Sequence, residues 1–240
     1  MHFRFPTRAA LLLAAAATAA SAGAQSLMDY AAPVRDIALK SVVVERDMAA
    51  LKKISNEFAQ SYRFASSQLY MKEPDKFRVD SKAGLVGVKY VINGNAKVLK
   101  AGVINKRWDI TNEPGQRQGG LTIGVLTPSF VHLVNATAKG EQTVSGRKAL
   151  VFDTHFKGKG KASWYRLFVD PEKHYILRFE QYKPDNSLKD TIVFSEPTRV
   201  NGIWVPTRTK VFNAQGQQGA VTRMENIRVN AGLSDSLFAL

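Results

Sequence analysis

The sequence predicts an α+β fold, one curled antiparallel sheet with helices laid over it. Three observations carry that prediction. Over residues 164–212, apolar and polar residues alternate in short runs separated by Asp170-Pro171-Glu172-Lys173, Lys183-Pro184-Asp185-Asn186 and Asn201-Gly202. Short alternating runs with turn residues at regular spacing describe a meander. A second Asn-Gly signal, Asn93-Gly94, lies between the strand-like runs 88–92 and 96–99. Finally, residues 33–58 place Val34, Ile37, Val44, Met48, Leu51 and Phe58 at steps of three and four, with Ser41 and Ser55 in the gaps. That spacing predicts a long amphipathic helix, which Pro33 would open. The β-branched run Val42-Val43-Val44 weakens helix locally and predicts a break near 41–46.

The remaining elements follow in chain order. Residues 1–24 read as a secretory signal cleaved after Ala24: Arg4 and Arg8 precede an apolar run over 9–20, and Ala22-Gly23-Ala24 is an A-x-A site. Residues 25–240 then form a single domain. Residues 58–71 are strand-like, and a proline turn at Glu73-Pro74 leads to a strand in which Phe77 and Val79 share a face. A short strand is expected at 108–110. Residues 112–120, rich in Gly, Gln and Pro, read as a mobile loop. Residues 128–138 predict a second short helix capped by Thr127. A turn region over 140–146, a strand over 148–156 and the basic, glycine-interleaved tip Lys157-Gly158-Lys159-Gly160-Lys161 come before the meander. There the strand 191–195 is interrupted by Glu196-Pro197. A last strand over 221–229 and a tail over 233–240 end the reading.

Composition removes several classes of function. The chain has no cysteine, which excludes disulfides, thiol catalysis, cysteine zinc sites and a lipidated cysteine after the signal. His132, His155 and His174 show no metal-ligand spacing, and no nucleophile elbow, Walker loop or dinucleotide fingerprint is present. Glu180 and Asp190 lie on strands or turns without a recognisable pairing. No enzyme activity and no cofactor is expected. The formal charge is +14, falling to +12 without Arg4 and Arg8. Such a charge suits anionic headgroups or an acidic partner, and equally the solubility of an exported chain. Export argues against nucleic acid.

Four features together resemble the LolA-like periplasmic proteins, the outer-membrane lipoprotein-sorting superfamily. They are the N-terminal segment running into Met71-Lys72-Glu73-Pro74-Asp75-Lys76-Phe77-Arg78, the Asn93-Gly94 hairpin, the meander that reaches Val200-Asn201-Gly202-Ile203-Trp204-Val205-Pro206, and the ending Leu233-Ser234-Asp235-Ser236-Leu237-Phe238. The resemblance implies an incomplete, half-open antiparallel β-barrel, with the long N-terminal helix and the short second helix covering its concave face. It implies a hydrophobic cavity that takes up acyl chains.

Strand parity points Phe77, Val79, Tyr90, Ile92, Phe152, Leu167, Leu177, Phe179, Ile192, Phe194, Val205 and Val211 inward. Met48, Leu51, Phe58, Leu69, Met71, Phe130 and Leu133 complete the expected lining, with Met48, Leu51 and Phe130 in a movable lid. Lys157, Lys159 and Lys161 are the expected contact with a membrane or partner. The functional expectation is a monomeric periplasmic carrier that binds lipid, lipidated-protein acyl chains or another amphiphile for delivery towards the outer membrane and works with inner- and outer-membrane protein partners. The same fold used as a regulatory or scaffolding protein is the other reading; it requires a filled interior and an exposed apolar patch.

Overall fold

The computed structural model describes residues 25–117, 119–160 and 162–240. The expected signal and Lys161 lie outside the described residues. Thirteen strands form one antiparallel sheet in the order β6-β5-β4-β3-β2-β1-β13-β12-β11-β10-β9-β8-β7. One arm holds β1 (Asp36–Arg46), β2 (Ser66–Lys72), β3 (Lys76–Ala83), β4 (Val86–Asn93), β5 (Ala96–Ala101) and β6 (Ile104–Asp109). The other arm holds β7 (Val134–Val144), β8 (Arg147–Phe156), β9 (Trp164–Val169), β10 (Ile176–Tyr182), β11 (Leu188–Val200), β12 (Ile203–Asn213) and β13 (Gln218–Val229). Pairing of β1 with β13 joins the arms.

This topology explains the half-barrel. Every neighbour pair except β1 with β13 is consecutive in sequence, so the sheet grows as two meanders. Register shifts in β1–β13, β7–β8, β9–β10, β10–β11 and β12–β13 mark bulges, which raise local twist and curl the sheet. Among the described residues no ladder joins β6 to β7, so the sheet stays open. The chain must therefore cross from one edge to the other, and residues 110–133 make that crossing over the concave face.

The expected long helix over 33–58 is corrected. Residues 36–46 form β1, which pairs with β2 on one side and β13 on the other. Ile37, Leu39, Ser41 and Val43 also alternate at the period of a strand, and ladders on both sides outweigh a helical spacing interrupted by three valines. Helix survives only as α1 (Met48–Lys52) and α2 (Asn56–Ser61). Asp47 Oδ1 accepts from the backbone N–H of Ala49 and Ala50 (2.8 and 3.1 Å), and Ser55 Oγ from that of Phe58 (3.0 Å). These caps satisfy donors that a helix start leaves unpaired.

Other expectations shift in extent. The strand expected over 58–71 begins only at Ser66, because Ser55 caps α2. The second helix, α4 (Pro128–Leu133), is shorter than expected, and Val134 already belongs to β7, which runs to Val144, so the turn expected over 140–146 narrows to Ser145-Gly146. Thr127 caps α4 as expected, at 3.5 Å from the Phe130 N–H. The Glu196-Pro197 interruption is absent. β11 runs through it with Glu196 at φ 53° and Pro197 opposite Pro206, so two residues without N–H groups face each other. The Asn201-Gly202 turn forms as expected, with φ 47° and 84°. The tail docks as a 3-10 turn, Asp235–Phe238, and buries Phe238 completely. Arg78 Nη1 donates to Leu237 O (2.7 Å), and Lys72 and Lys76 grip Asp235 (2.8 and 2.7 Å).

Candidate ligand cavity

Register puts the inner face in rows. Leu39 pairs Leu69, Leu69 pairs Val79, and Val79 pairs Tyr90; Ile37, Met71, Phe77 and Ile92 form the row beside it. In the other arm Phe152 pairs Leu167, Leu167 pairs Phe179, Phe179 pairs Ile192, and Ile192 pairs Val211. Directly opposed residues share a face, so Phe77, Val79, Tyr90, Ile92, Phe152, Leu167, Phe179, Ile192 and Val211 of the inward set fall into these rows, and Leu177, Phe194 and Val205 lie outside them.

Two voids lie against this face. The inner one, about 240 Å³, is lined by Leu39, Val43, Phe58, Tyr62, Leu69, Phe77, Val79, Thr122, Ile123, Ile192 and Met224, with Ser41, Ser61, Ser67, Thr209 and Thr222 adding hydroxyls. The outer one, about 430 Å³, is bounded by Phe58, residues 112–116, Leu121, Thr122, Phe156, Lys159, Ala162, Ser163, Tyr165, Phe179, Gln181, Asp190 and Ile192. Phe58, Thr122 and Ile192 line both, so the two voids abut along one tract under the helices.

The cover over the tract is α2 together with the crossing segment, which forms a 3-10 turn, Pro114–Arg117, and the short α3 (Gly119–Thr122). Residues 114–117 and 119–120 thus lie in helical turns, correcting the loop expectation there. Glycine lets this segment lie against the sheet. A Cβ on Gly124, where φ is +75°, would stand 2.7 Å from Pro206 Cγ and 2.8 Å from Phe194 Cδ1.

Beyond the voids the concave side is filled. Leu51, Phe130, Phe152, Leu167, Leu177, Phe194 and Val211 belong to one packed cluster, with Met48 and Leu133 half-buried against it. Met71 and Val205 belong to a second. Ile92 is buried and Tyr90 half-buried, its phenol pushed up to about 12 by burial and the charge of Glu113. The void walls therefore take Phe58, Leu69, Phe77, Val79, Phe179 and Ile192 from the predicted lining. Lys159 borders the outer void and Lys157 is exposed.

Several lining residues escape sequence reading. Tyr62 and Thr122 come from the helices and the crossing segment, and Asp190 comes from β11. A signal for Asp190 existed: it shares parity with Ile192 and Phe194 and so points inward. Burial pushes its carboxyl up to about 6, with Lys189 opposing. Burial, seconded by the Asp190 charge, raises the Tyr62 phenol and pushes the Tyr165 phenol to about 12. Among the described residues no group of acids and histidines is placed to hold a metal.

Known structures share this architecture. A domain described as outer membrane lipoprotein-sorting, from Vibrio parahaemolyticus, superposes with a TM-score of 0.59 at 11% identity, over 88% of this chain and 92% of that one. A LolA superfamily protein from Nitrosomonas europaea gives 0.57 at 12% identity, over 89% and 94%. The chain has the LolA fold.

A DUF1329 family protein from Desulfovibrio piger shares the LolA-like sheet at a TM-score of 0.51 and 16% identity, over 88% and 92%. The family model that matches, over residues 124–240, carries the description "Uncharacterized protein". No curated protein matches the chain by sequence. The LolA-like resemblance read from the sequence is thus met at the level of the fold. The half-open sheet stands and the long N-terminal helix does not.

Proposed function

We propose that this LolA-like chain is a periplasmic, non-catalytic carrier that holds acyl chains of a lipid or lipidated protein in the tract beneath α2 and α3. The observation that supports this reading is the unfilled apolar space on the concave face. Side chains fill protein interiors to crystal-like density, and an apolar void of this size forfeits burial worth about 25 cal/mol per Å². An occupant that is itself apolar restores that burial. The family described for the Vibrio and Nitrosomonas neighbours points to cargo bound for the outer membrane.

Delivery requires a contact surface, and two are available. The tip at Lys157 and Lys159, continued by Lys161, is basic. Across the molecule, Leu85 and Val103 are fully exposed on the neighbouring β3–β4 and β5–β6 turns, with exposed Val86 and Ile104 beside them. Lys82, Lys100 and Lys106 flank these tips. Aliphatic tips flanked by lysines suit an anionic bilayer. The same exposed tips, together with the packed clusters beyond the voids, favour a second reading in which the fold docks another protein.

Thr122 touches both voids, so Thr122→Phe should plug the tract. This variant is expected to lose at least tenfold in affinity for a fluorescent long-chain acyl probe while unfolding at or above the wild-type temperature. Undiminished probe binding by the folded variant would remove the tract as the cargo site.

A further inference from the structure

Five acids are buried among the described residues: Asp36, Asp153, Asp170, Glu180 and Asp190. Four of them are satisfied. Asp36 accepts from the N–H groups of Ala231 and Gly232 at 2.8 and 3.1 Å. Asp153 is gripped by Arg166 (2.6 and 3.0 Å). Asp170 is paired with Arg147 and accepts from the N–H groups of Glu172 and Lys173. Glu180 is paired with Arg178 and accepts from Tyr182 Oη at 2.8 Å. Asp190 differs. It is 2% exposed, borders the outer void and has no side-chain hydrogen bond or ion pair among the described residues.

A buried carboxyl without a partner costs stability, and a merely structural acid on this sheet is supplied with an arginine or with backbone donors. The groups facing Asp190 make the same point. Gln181, opposite it across β10–β11, has its carbonyl oxygen bonded by Lys189 Nζ at 3.4 Å. Tyr62 and Tyr165 lie close enough to feel the Asp190 charge, yet the hydroxyl of neither makes a hydrogen bond among the described residues. A buried hydroxyl without a partner among the described residues, Thr209 Oγ1, sits in the wall of the inner void. The tract thus combines apolar walls with unused hydrogen-bonding groups at fixed points, and Glu113 and Lys159 stand at the border of the outer void.

We propose that Asp190 receives the polar group of the cargo, and that this group is a hydrogen-bond donor, a hydroxyl or an ammonium, rather than a carboxylate or phosphate. This rests on the carrier reading and adds the class of head group. A donor satisfies the buried carboxylate, with Tyr62 and Tyr165 available as further partners. An anionic head placed beside Asp190 meets like-charge repulsion in a poorly solvated site. Charged partners make hydrogen bonds worth about 1.5–3 kcal/mol, which corresponds to a preference of roughly tenfold to a hundredfold.

The test compares myristyl alcohol, myristylamine and myristic acid as competitors of a fluorescent acyl probe, at a pH about two units above the Asp190 value. The wild-type chain is expected to bind the alcohol and the amine at least tenfold more tightly than the acid. Asp190→Asn retains the shape and a carbonyl acceptor, so it should bind the acid better, the amine worse, and the alcohol nearly as before. Equal binding of all three, or a preference for the acid, overturns the head-group assignment and leaves the carrier reading standing. A preference for the donors that Asp190→Asn leaves intact also overturns it. Failure to bind any of the three overturns the carrier reading and this inference with it.

Discussion

At the scale of single residues, Asp190 is where the account is most exposed to test. Burial raises its carboxyl from 3.8 to about 6. Between those values the folded chain keeps a proton that the unfolded chain has released, so stability falls as pH rises through that window and stays lower above it. The difference corresponds to about 3 kcal/mol in the unliganded protein. Asp190→Asn should therefore be more stable than wild type by up to that amount near neutral pH, and no more stable below the unfolded value. Urea melts at the two pH values measure this; an equal gain at both would mean that ionisation of Asp190 is not the cause. The sequence held the residue in plain view, on the inward parity of β11. Its lack of a partner depends on where Arg178 and Arg166 point, on the other face, where they pair with Glu180 and Asp153.

Among the elements, the crossing segment and β1 show where local reading succeeds and fails. The meander from β9 to β12 was legible because its turns are chemical: Asn201-Gly202 adopts positive φ at both residues, which few other pairs tolerate. β1 was misread because Val34, Ile37, Ser41, Val44, Met48 and Leu51 fit a helix while Ile37, Leu39, Ser41 and Val43 fit a strand. Pairing with β13, nearly two hundred residues away in sequence, decided between them, and sequence spacing contains no trace of that partner. Residues 112–120 were misread because glycine signals both a loop and a close approach. Here close approach wins: a Cβ on Gly119 would stand 2.5 Å from Phe77 Cδ2, and farther along the same crossing segment Gly124→Ala would set a Cβ against Phe194 and Pro206 at a positive φ. A cost of roughly 2–4 kcal/mol is expected from the combined strain and overpacking, read from denaturant melts, together with weaker acyl-probe binding. A neutral substitution would mean that the cover does not press on the sheet as described.

The whole molecule is an open sheet whose two meanders meet at β1–β13 and whose free edges, β6 and β7, lie at opposite ends. That arrangement obliges the chain to bridge the concave face, and the bridge together with α2 encloses space that side chains leave empty. No helix among the described residues is long and apolar enough to cross a membrane, and the exposed aliphatic tips at Leu85 and Val103 sit on turns. Cargo inside and contact residues outside are thus separate parts of one sheet. The carrier reading is tested most directly by purifying the protein gently from its native cells, weighing it by native mass spectrometry and extracting it with organic solvent. The account predicts a near-stoichiometric bound amphiphile, released by the solvent and carrying a hydroxyl or amine. A clean apoprotein that also ignores fluorescent acyl probes would contradict it.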